Sequence, residues 1–311
     1  HVQGDALLTA VASFGDKTHF ITDKPTSDRE KIRSAIAAVP NDPSGKENVS
    51  TAVQEVVARY GRFWTQGRRR VAIVILTDES GDDGGHIEEA VAAVQKIRAP
   101  VYVLGRQAIF GYPFARLTWR DPYGRVYYPL MHRGPESPDL ECLQYNGFYE
   151  RWDEHSSGFG PYELVRLARD SGGIYFILPS DELYIKEQRY DLNSMREYVP
   201  EYVSRVEYFK RREASPLRSS LHSIIRGTEN FRLASRFTGI RFSMRRDQFD
   251  PAARKSLETV RQYRTALENA YLNLERLQPQ RDREPSQRWR AQYDLIRAQV
   301  LSYTVKMVEY E

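Results

Sequence analysis

The sequence predicts an α/β fold, a doubly wound and mostly parallel sheet, followed by an α-helical C-terminal region. Three observations support this fold class. Apolar runs of strand length alternate with amphipathic helical patterns over the first 180 residues, which indicates parallel βαβ units with right-handed crossovers. Residues 71–76 are apolar throughout, as expected for a strand buried on both faces. From residue 181 onward, apolar side chains recur at helical spacing only.

The first strands and helices follow from local patterns. Residues 6–14 and 19–22 predict a β-hairpin that turns at residues 15–17. Ser27 and Glu30 have the spacing of a capping box, which predicts that a helix starts here. The apolar face of this helix holds Ile32, Ile36 and Val39. A second helix follows a polar loop, and its apolar face holds Val49, Val53, Val56, Val57 and Tyr60.

The middle of the chain continues this alternation and then interrupts it. Residues 71–76 predict a central parallel strand, and an amphipathic helix and a second buried strand at residues 99–105 follow. Residues 106–159 form an aromatic, Pro- and Gly-rich insertion, with a β-hairpin predicted about residues 121–124. Residues 160–179 restore the pattern as a helix, a Gly-Gly stop and a last strand.

The C-terminal residues predict helices. The clearest helix begins with Asp250 as N-cap and Pro251 at the first helical position, and residues 278–286 form a predicted linker to another helix. Apolar side chains spaced by four and three are typical of an antiparallel helical hairpin or a coiled coil, through which the protein could form oligomers. We therefore predict an α/β domain at residues 1–180, containing the insertion, and a basic helical region at residues 181–311 with a hairpin at about 250–310.

Charge and cysteine content limit the classes of function. Residues 1–180 hold 21 Lys and Arg against 23 Asp and Glu, whereas residues 181–311 hold 25 against 19. A basic helical region is compatible with nucleic-acid contacts, but solvated helix faces rich in Arg and Glu have the same composition. Cys142 is the only cysteine, so an internal disulfide is excluded and a cysteine-built zinc site is not expected. No apolar run is long enough for a membrane span.

The cellular compartment stays open. His1 is not a natural start residue, so we expect the true N-terminus to be missing. A lone cysteine is compatible with the cytoplasm and does not exclude export.

The candidate site lies after the apolar run at residues 71–76. In an open α/β sheet, ligands collect at the carboxyl ends of the strands, and a cluster of carboxylates follows directly here. The cluster consists of Asp78, Glu79, Asp82 and Asp83. Several carboxylates together favour a hard divalent ion such as Mg²⁺. The alternative is that Asp78 caps the next helix and holds the loop by hydrogen bonds to backbone N–H groups.

Four fragments of the first 180 residues resemble, in the right order, parts of one known domain family. They are LLTAVASFG, SGKENVSTAVQEVV, VAIVILTDESGDD and LVRLARDSGGIYF. In von Willebrand factor A (VWA) domains of bacterial type, which have a Rossmann-like fold, they are similar to the second strand, the loop and helix that carry a hydroxyl ligand, the fourth strand, and the final helix and strand. Together they cover residues 5–180 apart from the insertion, so the resemblance implies a VWA domain that lacks its first strand and helix.

The resemblance also implies a metal-ion-dependent adhesion site, in degenerate form. The family's conserved aspartate after the fourth strand corresponds to Asp78. Glu47 stands where the family usually has Thr, with Ser50 a few positions later, and Glu79 replaces the usual Gly. The family's Asp-x-Ser-x-Ser motif follows the first strand and is missing. An Mg²⁺ site would thus use Asp78, Glu47 and Ser50, and would be incomplete in this chain.

Binding to a protein, without catalysis, is the function that these features favour. We expect the partner to contact Glu79, Asp82 and Asp83 together with aromatic residues of the insertion, of which Trp119, Tyr127 and Tyr128 are the main candidates. The aromatic residues Tyr123, Tyr145, Phe148, Tyr149 and Trp152 extend this set. The same aromatics could instead pack the insertion onto the sheet. Two other functions stay open, a nucleic-acid-associated protein that uses the basic helices and a metal-dependent hydrolase.

Overall fold

The structure is a computed structural model that describes residues 7–66, 69–148, 151, 155–179, 190–234 and 242–311. Residue 6 of the first predicted strand, and the aromatic residues Tyr149 and Trp152, lie outside the described residues. The helices and strands are, in order, β1 (Ala12–Ser13), β2 (His19–Phe20), α1 (Arg29–Ala37), α2 (Val49–Tyr60), α3 (Arg62–Thr65), β3 (Ile73–Leu76), α4 (Ile87–Lys96), β4 (Val101–Gly105), β5 (Phe114–Arg116), β6 (Trp119–Arg120), β7 (Val126–Tyr127), β8 (Leu130–His132), α5 (Tyr162–Asp170), β9 (Tyr175–Ile177), α6 (Leu192–Met195), α7 (Arg205–Ala214), α8 (Pro216–Ala234), α9 (Arg246–Arg283) and α10 (Gln287–Tyr310).

The chain forms two compact units. The first comprises His1–Gln107, Trp119–Gly134 and Gly160–Asp181, and the second comprises Ala108–Thr118, Pro135–Phe159 and Glu182–Glu311. The segment that the sequence predicts as an insertion is therefore divided: residues 106–107 and 119–134 belong to the first unit, and residues 108–118 and 135–159 belong to the second.

A three-stranded parallel sheet organises the first unit, so the mixed α/β class is confirmed. The strand order is β3-β4-β9, with Ile73 opposite Val101 and Val103 opposite Tyr175. One face of the sheet packs against α2, α4 and α5. That core consists of Val49, Val53, Ile73, Ile75, Ile87, Ala90, Val91, Val94, Val101, Val103, Leu164, Leu167 and Ala168.

The prediction that residues 71–76 form a central strand buried on both faces is wrong. β3 is parallel to β4, but no strand of the described residues pairs with its other edge. Val74 and Leu76 point to the face opposite the core and are 58% and 67% exposed. Each successive strand, from β3 to β4 to β9, is added at the same edge of the sheet. Right-handed crossovers then put α4 and α5 on the same face. Within the described residues, the sheet therefore has helices on one face.

The N-terminal elements keep their predicted order but are shorter. β1 and β2 form the predicted antiparallel hairpin, with Ser13 opposite His19, and each strand has only two residues. α1 is capped by Asp28, not by Ser27 as predicted, because the Asp28 carboxylate accepts hydrogen bonds from Glu30 N and Lys31 N. A carboxylate is a good acceptor at this end of the helix dipole, which explains the shift by one residue.

The second unit contains the predicted helical region. α9 and α10 pack against each other, and the Tyr293 hydroxyl donates a hydrogen bond to the Leu274 carbonyl oxygen across the pair. The apolar side chains between α9 and α10 form one core with those of α7 and α8. Its most buried members include Tyr208, Leu217, Leu221, Val260, Leu267, Leu274, Trp289, Tyr293, Ile296, Val300 and Met307.

The bounds of α9 differ from the prediction at both ends. The helix begins at Arg246, so Asp250 is not its N-cap, and it continues through Pro279 to Arg283. The linker is thus only residues 284–286, not 278–286. Each proline removes one helical hydrogen bond. The last turns stay helical, with Leu277 buried in the core and Arg281 in an ion pair with Asp294 of α10 at 2.5 Å.

A buried charged network fastens α10 to the rest of the second unit. The Arg288 guanidinium donates to the Glu141 carboxylate at 2.6 Å and to the Glu136 carboxylate at 2.8 Å. Tyr208 donates its hydroxyl proton to Glu141 at 2.9 Å, and Gly111 N donates to Glu136 at 3.0 Å. All three charged side chains are buried. Burial raises the pKa of Glu141, and the positive charge of Arg288 opposes that rise.

Within the described residues, no helix combines the length and the apolar character that crossing a membrane requires.

Candidate functional site

The loop that follows β3 places its side chains at the carboxyl edge of the sheet. β3, β4 and β9 run in the same direction, so their carboxyl ends share one edge. Residues 77–83, which we call the acidic loop, leave the sheet there with Asp78 exposed and Glu79 half-buried. This edge is where open α/β sheets bind ligands. The structure thus brings the predicted carboxylates to the position expected of a binding site.

Two of the predicted site residues bind backbone groups of a distant segment. Asp82 accepts a hydrogen bond from Glu47 N at 2.8 Å, and Asp82 N donates to Glu47 O at the same distance. The carboxylate of Asp83 accepts from Ser50 N at 3.0 Å and from Thr51 N at 2.7 Å. These N–H groups lie in the first turn of α2, where a helix has no partners of its own. Asp83 therefore caps α2 from another loop and fixes the acidic loop beside it.

A glycine makes this close approach feasible. Gly81 has φ of 91°, and a Cβ there would lie 3.1 Å from Glu47 O and 3.0 Å from a methyl carbon of Val49. A side chain at this position would be strained by the backbone conformation and would press the two loops apart.

Thr77 draws Glu47 towards Glu79. The Thr77 hydroxyl donates to Glu47 Oε2 at 2.8 Å and accepts from Glu79 N at 3.1 Å. Burial, the negative charge of Glu47 and smaller contributions from Asp78 and Asp82 together raise the pKa of Glu79 to about 7, against a hydrogen bond from the His132 backbone, which lowers it. Burial also raises the pKa of Glu47, against the Thr77 hydrogen bond, which lowers it. The site is thus a concentrated, partly desolvated negative charge.

The raised pKa of Glu79 predicts a pH-dependent stability. The folded pKa is about 7 and the ordinary value is 4.5, so the folded state holds a proton that the unfolded state releases. Stability should therefore fall as the pH rises from 4.5 to 7. We expect Glu79→Gln to raise the free energy of unfolding at pH 8 by about 1 kcal/mol, a value reduced for partial solvent screening, and to change it little at pH 4. Urea unfolding at both pH values measures this. Glu89→Gln, at an exposed position of α4, is the control, and an equal gain at both pH values would contradict the assignment.

Two residues near the acidic loop were missed by the sequence analysis. His132 O accepts from Ser80 N at 2.7 Å, and His132 Nδ1 lies 3.0 Å from Ser80 Oγ and 2.9 Å from Gly81 O. Arg133 follows at 2% exposure, and its positive charge opposes the rise in the pKa of Glu47. Their sequence separation from the loop is about fifty residues, and no local spacing pattern connects them.

The residues present do not make a magnesium site. Mg²⁺ requires about six oxygen ligands in octahedral geometry. Asp82 and Asp83 bind backbone N–H groups, the Thr77 hydroxyl is directed to Glu47, and Arg133 already contributes a positive charge. No group of three or more His, Cys, Asp or Glu side chains in the described ranges is arranged to hold a metal ion.

The same geometry predicts the response to magnesium. We expect about 5 mM MgCl₂ to shift the melting temperature of this chain by less than about 1 °C, because a ligand stabilises only the state that it binds. Differential scanning fluorimetry with EDTA as the reference measures the shift. A saturable rise of several degrees that disappears in Asp78→Ala would contradict this interpretation.

The aromatic residues of the insertion divide into two groups. Trp119, Tyr127 and Tyr128 are exposed at 54%, 43% and 59%, on or beside the β6–β7 hairpin of the first unit. This hairpin confirms the turn predicted about residues 121–124. By contrast, Tyr145 is 1% exposed in the core of the second unit, and Phe148 packs against that core. The exposed group, not the whole set, is therefore available to a partner.

Comparisons with known proteins add no relative to this description. No family model, curated protein or solved structure matches the chain at a significant level.

Proposed function

We propose that this chain is a non-enzymatic protein-interaction module of the VWA type, which docks its partner at the carboxyl edge of the parallel sheet. The observation that carries the proposal is that the acidic loop is fixed in place and hydrogen-bonded to His132. His132 ends β8, the strand that follows the exposed β6–β7 hairpin. Both belong to the first unit. Exposed aromatic side chains and ordered charged groups at one edge are typical of contact surfaces.

The edge of β3 that no described strand occupies supports the VWA part of the proposal. Val74 and Leu76 are exposed, and a parallel sheet is normally covered on both faces. A further strand beside β3 with a helix on the uncovered face would complete a doubly wound sheet. The resemblance implies such a strand and helix, because the family has a first strand before the one that LLTAVASFG resembles. Any Mg²⁺ site would also depend on ligands that follow that strand.

The surface chemistry of the site supports binding more than catalysis. Asp82 and Asp83 are engaged by backbone N–H groups, and Glu47 by the Thr77 hydroxyl. These three carboxylates are structural anchors, whereas Glu79, with its pKa of about 7, is the group of this loop that a catalytic function would use. The C-terminal arginines give a nucleic-acid function less support, because several of them form ion pairs within the second unit. These are Arg212, Arg218, Arg226, Arg281, Arg288 and Arg297.

Selection from a displayed library of random peptides tests the proposal. We expect the folded chain to enrich a defined class of sequences whose affinity falls about tenfold in Trp119→Ala, as for an aromatic hot-spot residue. Substitution of an exposed residue elsewhere on the first unit, Glu55→Ala, should leave the affinity unchanged. Recovery of no specific binder, or of binders indifferent to Trp119 and Asp78 alike, would refute an interaction site at this edge.

A further inference from the structure

The parallel sheet of the first unit has an apolar face that none of the described helices covers. Leu76, Leu104 and Phe176 lie opposite one another across β3, β4 and β9, and Phe176 is 46% exposed. We call this side of the sheet the uncovered face. Its side chains are Val74, Leu76, Tyr102, Leu104, Ile174 and Phe176. Exposed apolar patches larger than a few hundred Å² are uncommon on monomers and mark contact sites.

The first helix of the same unit has an apolar stripe that is also exposed. Ile32, Ile36 and Val39 recur at spacings of four and three residues, on one side of α1 and the turn after it. Such a stripe predicts burial, yet Ile36 and Val39 are 59% and 42% exposed. In α1 only Ala35 is buried. Each chain therefore exposes one apolar helix stripe and one apolar sheet face, which it does not pack against each other.

The two surfaces match in length and in charge. A helix that connects parallel strands runs against the strand direction, so α1 on this sheet has its N-terminus at the carboxyl edge. Arg29 to Ile36 is about 10 Å of helix, and Val74 to Asp78 is about 13 Å of extended chain. Arg29 and Asp78 are exposed, and among the described residues neither has an ion-pair partner. That orientation brings Arg29 and the positive end of the helix dipole to Asp78.

We propose that two copies of this chain form a dimer in which α1 of each copy lies on the uncovered face of the other, with Arg29 beside Asp78. The second copy is the occupant because the chain itself supplies a helix stripe of the length and charge that the sheet face requires. Both contacts form at once about a twofold axis, so the assembly closes as a dimer.

The size of the contact is sufficient for a stable dimer. Each copy contributes its helix stripe and its sheet face, which together amount to on the order of 800 Å², the area that one partner buries in a stable interface. The resemblance expects a helix on this same face, and in the dimer the second copy provides it. The inference goes beyond the proposed function, because the β6–β7 hairpin takes no part in the contact.

Sedimentation velocity between about 1 and 100 µM protein tests the dimer. We expect the mass of two chains at the upper concentrations. Ile36→Asp and Leu76→Asp should each weaken the dimer at least about tenfold, because each buries a charge in an apolar contact. Ser34→Asp is the matched control, since it adds the same charge to the opposite side of α1. Its dissociation constant should stay within about twofold of that of the unchanged chain.

A charge exchange tests the orientation of α1 on the sheet. Arg29→Asp and Asp78→Arg should each weaken the dimer about tenfold, whereas the chain that carries both should recover to within about threefold of the unchanged chain. Absence of recovery would overturn the placement of α1 along the strands.

Other outcomes overturn the dimer itself. A single chain mass up to the highest concentration would do so, as would a dimer indifferent to Ile36→Asp and Leu76→Asp. A dimer weakened by Leu76→Asp alone would show that the uncovered face meets a surface other than α1. An equimolar mixture of the two variants should associate more tightly than either variant alone, because each mixed dimer keeps one unaltered contact. Circular dichroism of each variant confirms that the chain is folded.

Discussion

Replacement of Arg288 by Met should lower the free energy of unfolding by about 3–5 kcal/mol, the range found when one partner of a buried ion pair is removed. Arg288 is the cation for two buried carboxylates, Glu136 at 2.8 Å and Glu141 at 2.6 Å. Met fills a similar volume but leaves both carboxylates desolvated without a positive charge. Urea unfolding followed by circular dichroism at 222 nm measures the loss, because the second unit is mainly helical.

Two further variants make this expectation specific. Arg276→Met, at an exposed position of α9, should change the free energy of unfolding by less than about 0.5 kcal/mol. In the triple variant Arg288→Met, Glu136→Gln, Glu141→Gln the uncompensated charges are gone, so we expect recovery of about 2 kcal/mol. A triple variant no more stable than Arg288→Met would show that lost packing, and not lost charge compensation, causes the destabilisation.

Replacement of Asp83 by Ala should cost about 2 kcal/mol, because two charge-assisted hydrogen bonds to otherwise unpaired N–H groups are removed together. These bonds join Asp83 to Ser50 N and Thr51 N at the start of α2. The effect should be local as well as global. Hydrogen exchange of the Ser50 and Thr51 amides should accelerate relative to amides in the middle of α2.

Glu55→Ala is the control for this experiment, since Glu55 is an exposed carboxylate of the same helix. It should change stability by less than about 0.5 kcal/mol. If Asp83→Ala left both the free energy of unfolding and the Thr51 exchange rate unchanged, the acidic loop would not be fastened to α2 as described. The candidate site would then lose its rigid base, and the proposed interaction edge would need a different support.

Part of the candidate site could be predicted from the sequence and part could not. The position of the acidic loop follows from the strand that precedes it, because the end of a parallel strand fixes the edge on which the next residues lie. The roles of the individual carboxylates do not follow. The sequence predicts that Asp82 and Asp83 contact a partner, and the structure adds that their carboxylates bind backbone N–H groups of residues 47–51. Which carboxylate accepts hydrogen bonds from those N–H groups depends on how the acidic loop packs against residues 47–51.

The sequence by itself determined the features that rest on local preferences. Residues 73–76 and 101–105 form parallel strands, and the apolar seams of α9 and α10 are buried, since side-chain periodicity decides which face leaves water. The hairpin turn at Asp121 could be predicted because Pro122 has a fixed φ and Gly124 can adopt the positive φ that closes the turn.

The tertiary structure alone decided which strand lies at the edge and which charges are buried. The apolar run at residues 71–76 has the same composition whether one strand or two flank it, so the sequence could not show that β4 is its one neighbour among the described strands. Arg288 bonds Glu136 across 152 residues, and an arginine in a helix carries no local sign of such a partner. Contacts at this separation depend on packing of the whole unit, because chain direction and side-chain period specify only neighbours.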